Sequence, residues 1–176
     1  MAIRKILRDD DPALKKNSRP VTDYNRRLHT LVDDMRETLI EANGLGLAAP
    51  QVGVLRRVVL IVDLSIESES FDEQIIELVN PEIIECGGEQ TGSEGCLSIP
   101  GVYGIVTRPE KVTVRANDRY GKLFDYEGTE LTARAICHEL DHLKGVLFTS
   151  VAERLLTEEE LEQMAAAKDQ QEDEDG

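Results

Sequence analysis

Between residues 22 and 42 the apolar side chains Leu28, Leu31, Val32, Met35 and Leu39 recur at steps of three and four, the period of one helix face. The pattern predicts an amphipathic helix in which Thr22 caps the start, Asp23 sits in the first turn, and Asn43-Gly44 ends it where positive φ costs little. The next eight residues, Gly44-Leu45-Gly46-Leu47-Ala48-Ala49-Pro50-Gln51, are too rich in glycine and small side chains for an ordinary helix or a good core strand. Such a composition suits close approach of backbone to another group. Residues 57–64, with Val58 to Val62 continuously apolar, read as a buried strand, and 67–73 as a polar surface loop. Residues 75–80 and 82–85 read as strand pieces interrupted by Pro81. A half-exposed strand is expected at 111–116, turning through 117–121 into a partner at 123–126.

A second helix is expected from about 132 to 144, with Ile136, Leu140 and Leu143 on its apolar side and Gly145 as its stop. Strands gathered ahead of a helix, without alternation of the two, predict an α+β fold with mainly antiparallel sheets around a central helix. Thr157-Glu158-Glu159-Glu160 resembles a helix start. A short helix to about 168 would close a single domain, 1–168, and leave 169–176 as a disordered acidic tail.

Composition narrows the possible functions. The 176 residues are 40% hydrophobic and 31% charged, which suits one soluble domain, and no apolar run approaches the roughly 20 residues needed to span a bilayer. The opening Met1 to Leu7 meets Asp9, Asp10 and Asp11 before a signal-peptide core can form, so a cytoplasmic protein is expected. A formal charge of −15 opposes direct nucleic-acid binding, since few cations are at hand to displace phosphate counterions. Three cysteines, Cys86, Cys96 and Cys137, do not suit a disulfide framework in such a compartment.

The strongest chemical signal is His138-Glu139-Leu140-Asp141-His142. Imidazoles four residues apart on a helix project from one face and can grip one ion, while Glu139 stands near enough to reach a water without being a ligand. His29 has no partner at helical spacing and reads as solvent-facing. A catalytic site of this kind usually has three protein ligands and a water, and several residues compete for the third place. Phe148 stands where a metzincin would place its histidine. Glu160 or Glu162 would make a zinc-dependent peptidase of the HExxH type, though their surroundings read as a solvated helix. Cys137 turns about 100° away from His138 and reads as core, and Cys86 has no motif around it. Cys96 lies in Glu94-Gly95-Cys96-Leu97-Ser98-Ile99-Pro100, where a glycine before and a proline after restrict the backbone and can present a thiolate. A structural metal held by the same three residues is a further reading, but a fourth protein ligand is missing.

The three segments Gly44 to Gln51, Glu94 to Ser98 and His138 to His142 together resemble the motifs of peptide deformylases, in the same order and at similar separations, and the resemblance extends over nearly the whole chain. Pro50 and Gly101-Val102-Tyr103-Gly104 resemble the subgroup found in many bacteria and organelles. The resemblance implies removal of the formyl group from N-terminal formylmethionine of nascent polypeptides, near the ribosome. It implies metal ligation by Cys96, His138 and His142, with Glu139 as acid and base, and Gln51 and the Leu97 N–H as oxyanion donors. Leu45, Gly46, Tyr103 and Ala135 would contact the substrate, and Glu94 with Arg108 would form an ion pair steadying the cysteine loop. Ferrous iron is the implied metal in the cell, with zinc or other divalent ions able to occupy the purified protein.

Overall fold

In the computed structural model, which describes residues 2–175, the chain runs α1 (Arg26–Ala42), β1 (Gly46–Ala48), β2 (Val58–Val62), β3 (Ile75–Gly87), β4 (Gln90–Cys96), β5 (Ile99–Arg108), β6 (Lys111–Asn117), β7 (Leu123–Thr129), α2 (Glu130–Leu143), α3 (Phe148–Val151), β8 (Arg154–Leu155) and α4 (Glu158–Asp175). The strands form a five-stranded sheet in the order β1-β2-β3-β6-β7 and a three-stranded sheet in the order β4-β5-β8. All pairings within them are antiparallel. The fold is therefore α+β, as the grouping of strands ahead of a helix predicts. Among the described residues no helix is long and apolar enough to cross a membrane.

The continuous apolar run of β2 follows from its being covered on both faces. Val58, Leu60 and Val62 pack with Leu28, Leu31, Val32, Met35 and Leu39 of α1, whereas Val59 and Ile61 pack with Ile136, Leu140 and Leu143 of α2. Alternate residues of one strand thus feed two cores, and each fully buried Leu, Ile or Val contributes about 1.5–3 kcal/mol relative to exposure. The arrangement makes α2 a buried helix, with residues from Thr132 to Leu143 enclosed apart from Asp141.

Several local expectations are corrected. Helix α1 starts at Arg26 instead of near Thr22, because Asn25 is the cap and accepts from Leu28 N–H at 3.2 Å. Val21 ahead of it is held extended by both side-chain atoms of Asn80, at 2.8 and 2.9 Å. The glycine-rich segment does form a strand, β1, buried and paired with β2 from Gly46↔Ile61 to Ala48↔Val59. Pro81 does not split β3. A register shift between Val79 and Glu82, with Asn80 at φ 52°, absorbs the missing N–H as a bulge. His29 is half-buried, with Nε2–H donating to the Arg119 carbonyl at 2.9 Å and its ring 5.0 Å from Tyr120. Residues 169–175, expected as a disordered tail, continue α4. Once Thr157 and Glu160 close the helix start reciprocally, a run of alanine, glutamine and glutamate lets it propagate at little cost.

Glu77 on β3 ties three elements together. It accepts from Arg36 of α1 at 2.6 Å and from Arg119, in the β6–β7 turn, at 2.9 and 2.7 Å. Burial alone would raise the Glu77 carboxyl, but the two guanidinium groups outweigh it and hold it below its ordinary value of 4.5. A carboxylate lowered in the folded state contributes stability that is full above about 4.5 and lost as pH falls below it. Glu77→Gln should cost about 2 kcal/mol in urea unfolding at pH 7, and the gap from the parent should narrow on acidification through that region. A gap independent of pH would show that the charge is not what holds the junction.

Candidate metal centre

Helix α2 places His138 and His142 one turn apart on the face turned towards the three-stranded sheet. Their ring centroids lie 5.0 Å apart, and His142 is fully buried. Cys96 arrives from the end of β4, where the register with β5 shifts between Gly95 and Cys96 and the chain turns through Leu97-Ser98 into Ile99. Its Sγ lies 3.4 Å from His142 Nε2. One ligand atom from each of Cys96, His138 and His142 falls within 4.8 Å of the others, the one such cluster among the described residues. Phe148 stacks beside His138 at 6.0 Å and 28°.

Behind this cluster sits Glu94, 5% exposed. Its carboxylate accepts from Arg108 Nε and Nη2 at 2.8 and 2.9 Å, from Arg134 Nη1 at 2.7 Å and from His138 Nδ1–H at 2.8 Å. Arg108 in turn donates to Asp141 at 2.7 Å. Burial works against the charge, but Arg108 and His138 outweigh it and lower the Glu94 carboxyl to about 2. With Nδ1–H committed to Glu94, His138 directs Nε2 at the cluster.

Glu139 is enclosed, and burial raises its carboxyl to about 7. Its Oε2 has no protein hydrogen-bond partner among the described residues. Gly46 lies so close that a Cβ there would sit 2.7 Å from the Glu139 side chain, which explains the demand for glycine in β1. Gln51, 1% exposed, accepts from Ala48 N–H at 2.9 Å and donates from Nε2 to Ser98 Oγ at 3.1 Å, with Cys96 Sγ at 3.7 Å. A cleft of about 550 Å³ opens here, and Leu45, Gly46, Leu97, Tyr103, Ala135 and Glu139 are among its walls. Tyr103 lies over Gly95, where a Cβ would meet its ring at 2.6 Å. Gln51 lies beneath the cleft instead of lining it.

The residues fit a divalent ion. A thiolate and two imidazoles are donors of the kind zinc and ferrous iron take, and Glu139 lines the same cleft as Cys96 and His138. Burial opposes charge on His138, yet Cys96 and Glu94 outweigh it and raise the ring to about 10, whereas burial and the His138 charge lower His142 to about 3. Glu160, weighed as a rival ligand, is committed to Arg154 at 2.7 and 2.9 Å, and Glu162 is exposed. Arg134, Asp141 and Ser98 were not singled out from the sequence. Arg134 carries a retrospective signal, an arginine between Ala133 and Ala135 one turn before His138 on a helix buried nearly all round.

A family model described as polypeptide deformylase matches residues 3–158. A peptide deformylase of Alkaliphilus metalliredigens is 55% identical over 149 residues, covering 85% of this chain and 96% of that protein. One from Caldicellulosiruptor bescii is 50% identical over 169 residues, covering 96% and 97%. The crystal structure of a peptide deformylase from Legionella pneumophila superposes with a TM-score of 0.79 at 41% identity, covering 95% of this chain and 98% of that one.

Glu94→Gln should weaken metal binding by about 10–100-fold, because His138 loses the acceptor that orients it. Chelator competition at pH 7 measures this, and undiminished retention would remove Glu94 from that role.

Proposed function

The chain belongs to the peptide deformylase family, and on that premise we propose that Cys96, His138 and His142 hold its divalent metal while Glu139, Gln51 and Leu97 handle the proton and the developing charge. The protein is a metal-dependent hydrolase that removes the N-formyl group from the N-terminal formylmethionine of newly synthesised polypeptides, releasing formate. The residue assignment rests on one observation: three ligand atoms converge within 4.8 Å beside an enclosed carboxylate with a free oxygen.

Bound there, a divalent ion supplies Lewis acidity that draws the ionisation of water towards neutral pH. Glu139 takes the proton of the attacking water, holds it on its carboxylate, and passes it to the amine nitrogen as the formyl C–N bond breaks. The water oxygen leaves as the second oxygen of formate. Burial raises the Glu139 carboxyl, which favours its holding the proton between the two transfers. Gln51 Nε2 and the Leu97 N–H in the β4–β5 turn receive the negative charge that develops on the former carbonyl oxygen. Ser98 and Ala48 N–H hold the Gln51 amide in place from both ends.

Leu45 and Ala135 offer apolar walls to the methionine side chain, and Tyr103 flanks the peptide. Strand β1 is an edge of its sheet, so Gly46 pairs with the extended substrate as an added strand. Ferrous iron is the ion proposed for the cell, with zinc or other divalent metals taking the same donors after purification. As part of the same proposal, residues 1–168 act as one catalytic domain, working in the cytoplasm near the ribosomes from which formylated chains emerge.

Glu139→Ala should keep its metal and lose about 10²–10⁴-fold in kcat on a formyl-methionyl peptide, whereas Cys96→Ala should lose the metal itself. Metal analysis beside formate release separates the two, and a Cys96→Ala protein that retains its ion would exclude that ligand. Acetylated peptides should be cleaved at least about tenfold more slowly than formylated ones, because the added methyl needs room beside the reacting carbon. Comparable rates on both would contradict the fit.

A further inference from the structure

One wall of the substrate cleft comes from an element that the reaction does not use: Lys168 of α4 lines it together with residues of β1, the β4–β5 hairpin and α2. The chain leading into α4 is fixed beside that cleft. Strand β8 pairs with β5 at Gly104↔Leu155 and Ile105↔Arg154, and Leu156 N–H donates to the carbonyl of Tyr103, itself a cleft residue, at 2.8 Å. Arg154 and Thr157 then bind Glu160 and close the helix start. On α4 the half-buried side chains include Leu161 and Met164. Lys168 follows them by seven and four residues, on the same helix face. Lys168 itself is exposed, at the rim of the cleft.

The charge pattern makes this residue stand out. Helix α4 carries nine carboxylates and one cation, Lys168. Arg134, the other cation along the cleft, is bound to Glu94, whereas Lys168 forms no ion pair among the described residues. Lys168 is thus the one lysine or arginine along the cavity without an acidic partner among the described residues, and its exposed side chain is free to meet a carboxylate of a ligand.

We propose that Lys168 is a specificity-determining residue whose ammonium receives a carboxylate of the bound peptide beyond its first residue. The inference rests on the deformylase reading and names the substrate class within it: formylated chains with acidic character shortly after the methionine. The carboxylate comes from an aspartate or glutamate side chain or, in a short peptide, from the C-terminus.

The test measures kcat/KM by formate release, with metal-loaded enzyme kept free of oxygen, on formyl-Met-Ala-Ser-amide, formyl-Met-Ala-Asp-amide, formyl-Met-Ala-Lys-amide and the free acid of the first. The parent should prefer the aspartyl over the seryl amide by about threefold, as for a partly exposed ion pair, with the difference carried by KM. Lys168→Arg should keep the preference, Lys168→Ala should bring it to unity or invert it, and about 1 M salt should abolish it in the parent. Preference for the aspartyl amide identifies the side chain as the carboxylate recognised, and preference confined to the free acid identifies the C-terminus. Equal ratios in the parent and Lys168→Ala would overturn the proposal. Formate release from none of the peptides would overturn the deformylase reading and, with it, this inference.

Discussion

A single buried carboxylate, Glu94, joins the two halves of this structure. It accepts four hydrogen bonds, two from Arg108 of its own sheet and two from Arg134 and His138 of α2. Glu94 and Cys96 are two apart on β4, so they project to the same side of the strand. Arg134 and His138 are four apart on α2 and share one helix face. The strand register and helix rotation that seat Glu94 between those donors also bring the Cys96 sulfur to the two rings. A buried ionic cluster is weak evidence for net stability, since desolvation offsets most of its Coulombic gain. What this one secures is position.

Burial of α2 completes the geometry. Because β2 feeds alternate side chains to α1 and α2, the helix is enclosed by hydrophobic packing that has no part in the chemistry. The same enclosure takes Glu139 out of water and shifts its carboxyl towards neutrality. Gly46 then permits the β1 backbone to approach that carboxylate more closely than any side chain would allow. Core packing and the Glu139 carboxyl are consequently linked through one helix: what stabilises the fold also desolvates the group proposed as the base.

Elements whose own periodicity decides their environment were legible in the sequence. The α1 stripe, the apolar run of β2, the β6–β7 hairpin and the His138–His142 pair all carry local patterns that packing reinforces. The β4–β5 hairpin does not. Its first strand, Gln90–Cys96, is polar and glycine-rich, held by backbone pairing and by Glu94, so no alternation announces it. Cys96 stands out among the three cysteines by the glycine before it and the proline after it, and the family resemblance agrees, but a cysteine at the end of an unrecognised strand has no spacing rule to the helix it meets. Arg134 has no partner within its own helix to mark it, and Lys168 stands at the end of the expected short helix, with no local pattern to tie it to the cleft. In each case the missing information was long-range: a contact between residues tens of positions apart.

X-ray absorption spectroscopy at the metal edge, on protein purified without oxygen, examines the coordination directly. The ligand set argued above requires one sulfur and two imidazole nitrogens in the inner shell, with the sulfur absent from any metal remaining in a Cys96→Ser protein. An inner shell of nitrogen and oxygen alone in the parent would contradict it.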